Sequence, residues 1–303
     1  MKALVTGSEG FVGTYLSKEL AENGYEVIRC SLEGGDGFRK LDILDLKAVK
    51  EIIREERPDV IFHLAGQANV AYSWKNPQLT MNLNINGILN VLEAVRDHAP
   101  ESIVIGAGSS DEYGVLGENG KNVTEDTPLN PVTPYAISKV AQEKAAFCYA
   151  KANHLDVRMV RCFNLCGVGQ GKGFMIPDFA SGIAEIEAEK SKELLVGNLD
   201  SARDFTDVRD AARAYRLIAE KGKAGEVYNI CSGKAYTARE ILNMLIDMAK
   251  CEIIVKQDPS RMRPSDTPVV YGSNTKMKIE TKWNAEHGLK DTIQECLRFW
   301  RAV

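Results

Sequence analysis

The chain begins with Ala3-Leu-Val-Thr6-Gly7-Ser-Glu-Gly10-Phe-Val-Gly13, a short apolar run that breaks into glycines three apart and then into helical periodicity. Gly7 permits a tight turn, Gly10 lets backbone approach a pyrophosphate, and Gly13 lets the following helix pack close on the strand. The helix N-terminus, with its unpaired N–H groups, then faces an anion. A strand that feeds such a loop belongs to a parallel sheet, and parallel strands need crossover connections, usually helices. The first 160 or so residues supply them. Strand-like runs at Lys2–Thr6, Glu26–Ser31, Val60–Leu64, Ile103–Ala107 and Val157–Cys162 alternate with helical patterns over 11–23, 46–56, 78–96 and 134–153. The expected fold is α/β, a doubly wound parallel sheet with right-handed connections.

After Cys162 the rhythm loosens. The pattern predicts a helix over 177–190, a strand over 193–196, a helix over 207–220 and a strand at Val227–Cys231. Thr237-Ala-Arg-Glu240 is a capping box opening a helix to about 248. No Gly/Ser linker, repeat or low-complexity tract interrupts the chain. Residues 1–162 are therefore read as a nucleotide-binding domain and 163–303 mainly as a smaller, interleaved substrate-binding lobe, with the segment from about 200 to 232 returning to the sheet.

The formal charge of -4 argues against a nucleic-acid partner, so phosphate groups must be held by a few local cations. No run reaches the roughly 18 to 20 apolar residues of a membrane span, and Met1-Lys-Ala-Leu enters strand-like sequence without a signal peptide. The seven cysteines are scattered with no Cys-x-x-Cys pair; they read as reduced thiols, and no metal is expected. His63, His98, His154 and His287 show no ligand spacing and read as structural or solvated. The compartment expected is the cytoplasm. The helices over 79–96 and 134–153 carry more apolar residues than one face uses: Leu83, Val91 and Ala94 in the first; Ala145, Cys148, Tyr149 and Ala152 in the second. This predicts burial on two sides, and so a homodimer paired through these helices.

The chemistry is concentrated in Pro131-Val-Thr-Pro-Tyr135-Ala-Ile-Ser-Lys139. Four residues apart on a helix, Tyr135 and Lys139 share a face. A free phenol titrates near pH ~10 and a neighbouring cation favours the phenolate. Such a pair can give a proton to, or take one from, an oxygen undergoing redox change. Thr133 and Pro134 read as N-cap and first helical residue, fixing where the phenol sits. Ser109-Ser-Asp-Glu-Tyr113-Gly114, after the fourth long strand, taken alone would be a capped turn.

The Gly-x-x-Gly-x-x-Gly loop, Asp42-Ile43, His63-Leu-Ala-Gly-Gln67, Ser109 and Tyr135-x-x-x-Lys139 together resemble the extended short-chain dehydrogenase/reductase superfamily over essentially the whole chain. The resemblance implies a Rossmann fold, a nicotinamide dinucleotide and catalysis by Ser109, Tyr135 and Lys139. It implies cofactor contacts from Gly7, Gly10, Phe11, Val12, Gly13, Ser31, Asp42, Ile43, Leu64, Ala65, Gly66, Tyr135, Lys139 and Cys162. Ser31 stands where NAD-specific relatives carry Asp; it tolerates a 2′-phosphate that Arg29 or Arg39 could contact. NADP(H) is favoured, with NAD(H) the alternative.

Substrate contacts are implied for Ser110, Asp111, Asn164, Arg203, Arg263 and Asp266. An isolated Arg–Asp pair is ordinarily a weak surface ion pair, but Arg203-Asp-Phe-Thr-Asp-Val208 and Arg263-Pro-Ser-Asp266 sit in contexts resembling GDP-mannose-handling members. Dehydratases of that group follow their catalytic Thr with Asp-Glu or Ser-Glu. Here Ser110-Asp111 takes that place, and the shorter carboxylate disfavours elimination. The resemblance then implies hydride transfer that reduces the 4-keto group of GDP-4-dehydro-6-deoxy-D-mannose to GDP-D-rhamnose, with Tyr135 as proton donor. The alternatives are a GDP-mannose 4,6-dehydratase, another nucleotide-sugar 4-epimerase or reductase, and, from another class, a non-catalytic dinucleotide sensor.

Overall fold

The computed structural model describes residues 1–114, 122–261 and 269–303. β1 (Lys2–Thr6) leads through the glycine loop into α1 (Phe11–Glu22), followed by β2 (Glu26–Ser31), the short β3 (Arg39–Lys40), α2 (Leu46–Glu56) and β4 (Val60–His63). Then come α3 (Val70–Lys75) and α4 (Pro77–Met81), which continues through a π turn at Asn82–Asn86 into α5 (Gly87–His98). β5 (Ile103–Ser109), a 3₁₀ turn at Ser110–Tyr113, β6 (Asn122–Val123) and the long α6 (Pro134–Asn153) lead to β7 (Val157–Cys162). The second half carries β8 (Asn164–Cys166), α7 (Met175–Glu187), β9 (Leu194–Val196), β10 (Ala202–Asp207), α8 (Val208–Lys221) and β11 (Val227–Ile230). It ends with β12 (Ala235–Thr237), α9 (Ala238–Ile246), β13 (Val255–Gln257), β14 (Val269–Gly272), α10 (Thr275–Thr281) and α11 (Leu289–Ala302).

Seven strands form one parallel sheet in the order β11-β7-β5-β4-β1-β2-β3. Its strands are apolar on both faces because helices cover both: Val60, Ile61 and Phe62 are all fully buried. One face packs on α1 and α8 through Leu16, Leu20, Tyr215 and Ile218; the other packs on α2, α5 and α6 through Ile53, Ile88, Leu92 and Ala146. Chain order reverses between β1 and β4, so a crevice opens at the carboxyl ends of those strands, the usual ligand position in such a sheet. The register pairs Thr6 with His63, His63 with Gly106, and Ser109 with Cys162 across neighbouring strands. β10 anchors a second sheet in the order β12-β10-β14-β6, with β8 also on β10. β11, from the second half of the chain, forms the edge of the large sheet beside β7.

One departure from periodicity matters for the site. The segment expected as a single helix over 78–96 contains the π turn, whose wider i→i+5 spacing shifts the apolar stripe. Val91 and Ala94, off the stripe by simple counting, are consequently buried beside Ile88, Leu92 and Val95. Leu79 and Ile137, on the adjoining α4 and α6, stay exposed at 42% and 45%.

Candidate active site

The crevice is built first from backbone. Gly10 caps α1 with no side-chain hydrogen bond, and the first turn of α1 carries no acidic residue. The positive end of the helix is thus left to an anion. A Cβ on Gly13 would lie 2.3 Å from the Gly7 carbonyl oxygen and 2.6 Å from Ser8 Cα, so only glycine lets α1 approach β1 this closely. Phe11 and Val12 border the loop half-buried, and Phe11 packs edge-on against Tyr15 at 5.9 Å. Across the crevice, Thr6 Oγ1 bonds His63 Nδ1 at 3.1 Å and accepts the Ala65 N–H at 3.2 Å, setting the course of Leu64-Ala65-Gly66. Burial then holds the His63 imidazole neutral, pushed down to about 3. It is a structural histidine.

Of the implied contacts at the adenosine end, Ser31 is buried and its hydroxyl accepts the Gly34 N–H at 3.0 Å. Asp42 accepts the Leu44 N–H in a local turn, and Ile43 is buried beneath it. Arg39 pairs with Glu55 and Glu56, whereas Arg29 lies over the Phe38 ring at 4.7 Å.

Ser109, Tyr135 and Lys139 converge at the ends of β5 and α6, all three buried. The phenol is located by its own helix start. Thr133 Oγ1 caps Ala136 N at 3.0 Å, and the Tyr135 N–H donates to Ser73 Oγ on α3 at 3.2 Å. The Ser109 side chain lies near enough to the phenol of Tyr135 to pull its pKa down. Lys139 Nζ donates to Ala107 O at 2.7 Å and Gln142 Oε1 at 3.0 Å, and lies 6.0 Å from the Tyr135 ring centroid.

The electrostatics differ from the expectation that Lys139 would draw the phenol's pKa down. Burial, then the charge of Asp111, push the Tyr135 phenol well above its ordinary range, against the pull of the Ser109 hydroxyl. Lys139 is itself lowered to about 8 by burial, which disfavours its charged form. The result is a neutral phenol that can give a proton, beside an amine that releases one readily. Cys162, at the end of β7, is half-buried; desolvation pushes its thiol up to about 11, and its Sγ lies 3.4 Å from Tyr215 OH.

The implied substrate residues lie further round the cleft. Ser110 is buried and Asp111 half-buried in the 3₁₀ turn. Asn164 opens β8 opposite Phe205 of β10, and half-buried Arg203 pairs in register with Tyr236. Arg263 and Asp266 lie outside the described residues. Two side chains were not found by sequence reading. Asn84, carried inward by the π turn, accepts the Gln67 N–H at 2.8 Å and donates to Ser138 Oγ at 2.8 Å, tying the post-β4 loop to α6. Gln142 braces Lys139. The signal for Asn84 was the trio Asn82, Asn84 and Asn86 in an otherwise apolar helix.

A family model for GDP-mannose 4,6 dehydratase matches residues 4–296. The chain belongs to this family. It is an extended short-chain dehydrogenase/reductase and an oxidoreductase that uses a nicotinamide dinucleotide. It is 32% identical to the GDP-6-deoxy-D-mannose reductase of Pseudomonas aeruginosa over 99% of this chain and 97% of that protein. The structure of RMD from Pseudomonas aeruginosa complexed with NADPH superimposes with a TM-score of 0.91 at 31% identity, covering 99% of both chains. The Thermus thermophilus UDP-glucose 4-epimerase in complex with NAD does so with a TM-score of 0.89 at 27% identity, covering 100% of both. Membership in the dehydratase family accords with the crevice: the uncapped α1 terminus and the Gly7–Gly13 cradle fit a dinucleotide pyrophosphate.

Proposed function

We propose that this enzyme reduces the 4-keto group of GDP-4-dehydro-6-deoxy-D-mannose to GDP-D-rhamnose. The bound nicotinamide, NADPH by preference, supplies the hydride. Tyr135 protonates the developing alkoxide, the Ser109 hydroxyl orients that oxygen, and Lys139 holds the ribose and returns a proton to the phenol. The observation that carries this reading is the buried phenol beside Ser109, kept neutral: a proton donor suits reduction of a ketone. The short Asp111, where dehydratases carry Glu, disfavours the elimination step of a dehydratase. Asn164, Arg203, Arg263 and Asp266 hold the GDP-sugar. The exposed Leu79 and Ile137 mark the face through which α4, α5 and α6 pair in a homodimer. The nucleotide-linked substrate and seven free thiols suit the cytoplasm, and no described helix is long and apolar enough to cross a membrane.

The test is product analysis. With GDP-4-keto-6-deoxymannose and NADPH, one sugar nucleotide with rhamno configuration is expected, with slower turnover on NADH. The C-4 epimer would overturn the stereochemistry, and release of a 4-keto sugar from GDP-mannose would make the enzyme a dehydratase.

A further inference from the structure

Beneath Ser109 lies an acid that the reaction above does not use. Glu112 is fully buried in the 3₁₀ turn. Its Oε1 accepts the Ser109 N–H at 2.7 Å while Ser109 Oγ accepts the Asp111 N–H at 3.2 Å, so the catalytic serine is held through its own backbone by this carboxyl. Space for it exists only because residue 108 is glycine; a Cβ there would stand 2.5 Å from Glu112 Oε1.

The other oxygen, Oε2, is buried without a hydrogen-bond partner. The nearest cation is Arg161 of β7, whose Nε is 3.7 Å away. That guanidinium is already committed: Nε and Nη2 to Glu143 of α6 at 2.9 and 2.8 Å, and Nη1 to Tyr113 OH and Glu125 O. Lys139 of α6 and Tyr135 also lie within electrostatic reach. One guanidinium cannot neutralise two buried carboxylates, and an unpaired buried charge costs several kcal/mol. The carboxyl escapes that cost by keeping its proton. Burial first, then the charge of Glu143, push it up to about 8.

We propose that Glu112 works as a neutral carboxylic acid and is a positioning residue for Ser109, fixing the catalytic hydroxyl through the Ser109 N–H. As a neutral acid it accepts the Ser109 N–H at Oε1 and carries its proton on Oε2, the oxygen outside that bond. Ionisation places a second negative charge beside Glu143 and raises the phenol of Tyr135 further, which weakens it as an acid. The role of Ser109 rests on the proposed reduction; the protonation of Glu112 does not.

Two measurements test this. In infrared difference spectra of the ligand-free protein, wild type minus Glu112→Gln at neutral pH, a carboxylic-acid carbonyl band belonging to Glu112 is expected, fading as pH rises past about 8. In the reductase assay, Glu112→Leu is expected to lower kcat about tenfold or more at unchanged cofactor affinity, the scale of small misplacements of a catalytic group. It should cost almost nothing in a Ser109→Ala background. Glu112→Gln, which keeps an acceptor for the Ser109 N–H, should recover most of that loss. No band, or an equal cost of Glu112→Leu in both backgrounds, would overturn the proposal. If Glu112→Leu does not fold, the band and the Glu112→Gln kinetics still decide it: that variant near the Ser109→Ala rate refutes the positioning role. A wild type inactive on the keto sugar would sink the proposed reaction and leave the infrared result standing.

Discussion

The two ends of the cleft are built from different material. At the cofactor end, the anion-facing groups are backbone: the α1 terminus after Gly10, with Gly13 pressed against Gly7 and Ser8. On β10 and the start of α8 stand three buried aspartates, and the protein itself occupies all of them. Asp204 accepts from Ser232, Gly233 and Gly272; Asp207 from Arg209 and Thr292; Asp210 from the Glu286 and His287 N–H groups. An Arg-Asp motif that reads as a phosphate fork is, on its acidic side, a set of internal ties that fasten the C-terminal segments to the second sheet. Backbone sites follow from glycine spacing. Side-chain sites need to be told apart from structural use of the same residues.

The contrast can be broken in order of expected effect. Between the two ends, Tyr135→Phe should lower kcat by about 10²- to 10⁴-fold, the range for a lost general acid, with cofactor affinity kept; stopped-flow loss of NADPH absorbance measures it. At the cofactor end, Gly13→Val forces backbone apart and should weaken cofactor binding about a hundredfold, or roughly 3 kcal/mol, by fluorescence titration. On α8, Asp210→Ala should leave cofactor affinity alone. It should cost about 1 to 3 kcal/mol in urea unfolding, because the Glu286 and His287 N–H groups lose their buried acceptor. If it instead weakened cofactor binding without loss of stability, the division of labour would be wrong.

Smaller is the pH term from Glu112. Its pKa lies near 4.5 unfolded and about 8 folded, so the folded state binds more protons between those values. Its contribution to stability is complete below the first and lost as pH rises through the second. Glu112→Gln should flatten the stability profile between them. Arg39→Ala should change little, since its pairs with Glu55 and Glu56 are exposed and such pairs contribute about 0 to 1 kcal/mol. A large selective loss of NADPH affinity would instead give Arg39 the 2′-phosphate.

Much of the first half was legible because apolar runs flanked by glycine or caps admit one reading. β1, β2, β7, α2 and α6 fall at the expected residues. Thr133 caps α6 and Thr237 closes its box with Glu240 as their spacing implied. What was not legible has physical reasons. β6, β8, β12 and β14 are two to four residues long, too short to show alternation. The π turn breaks the periodicity used to find it, and with it went Asn84. The environment of Tyr135 was misjudged because the four-residue spacing shows that Lys139 is near, whereas the cost of burial depends on everything else around the phenol. The sequence did not set Glu112 apart, because its contact with Ser109 N depends on the room left at Gly108.

The central claim, hydride to C-4 with the proton from Tyr135, is tested most directly by isotope. With NADPH doubly deuterated at nicotinamide C-4 and GDP-4-keto-6-deoxymannose as substrate, one deuterium should appear at C-4 of GDP-rhamnose per cofactor oxidised. Tyr135→Phe should slow that transfer by about 10²- to 10⁴-fold while still binding the cofactor. Turnover of GDP-mannose with no net cofactor oxidation, or deuterium at any other sugar carbon, would contradict it.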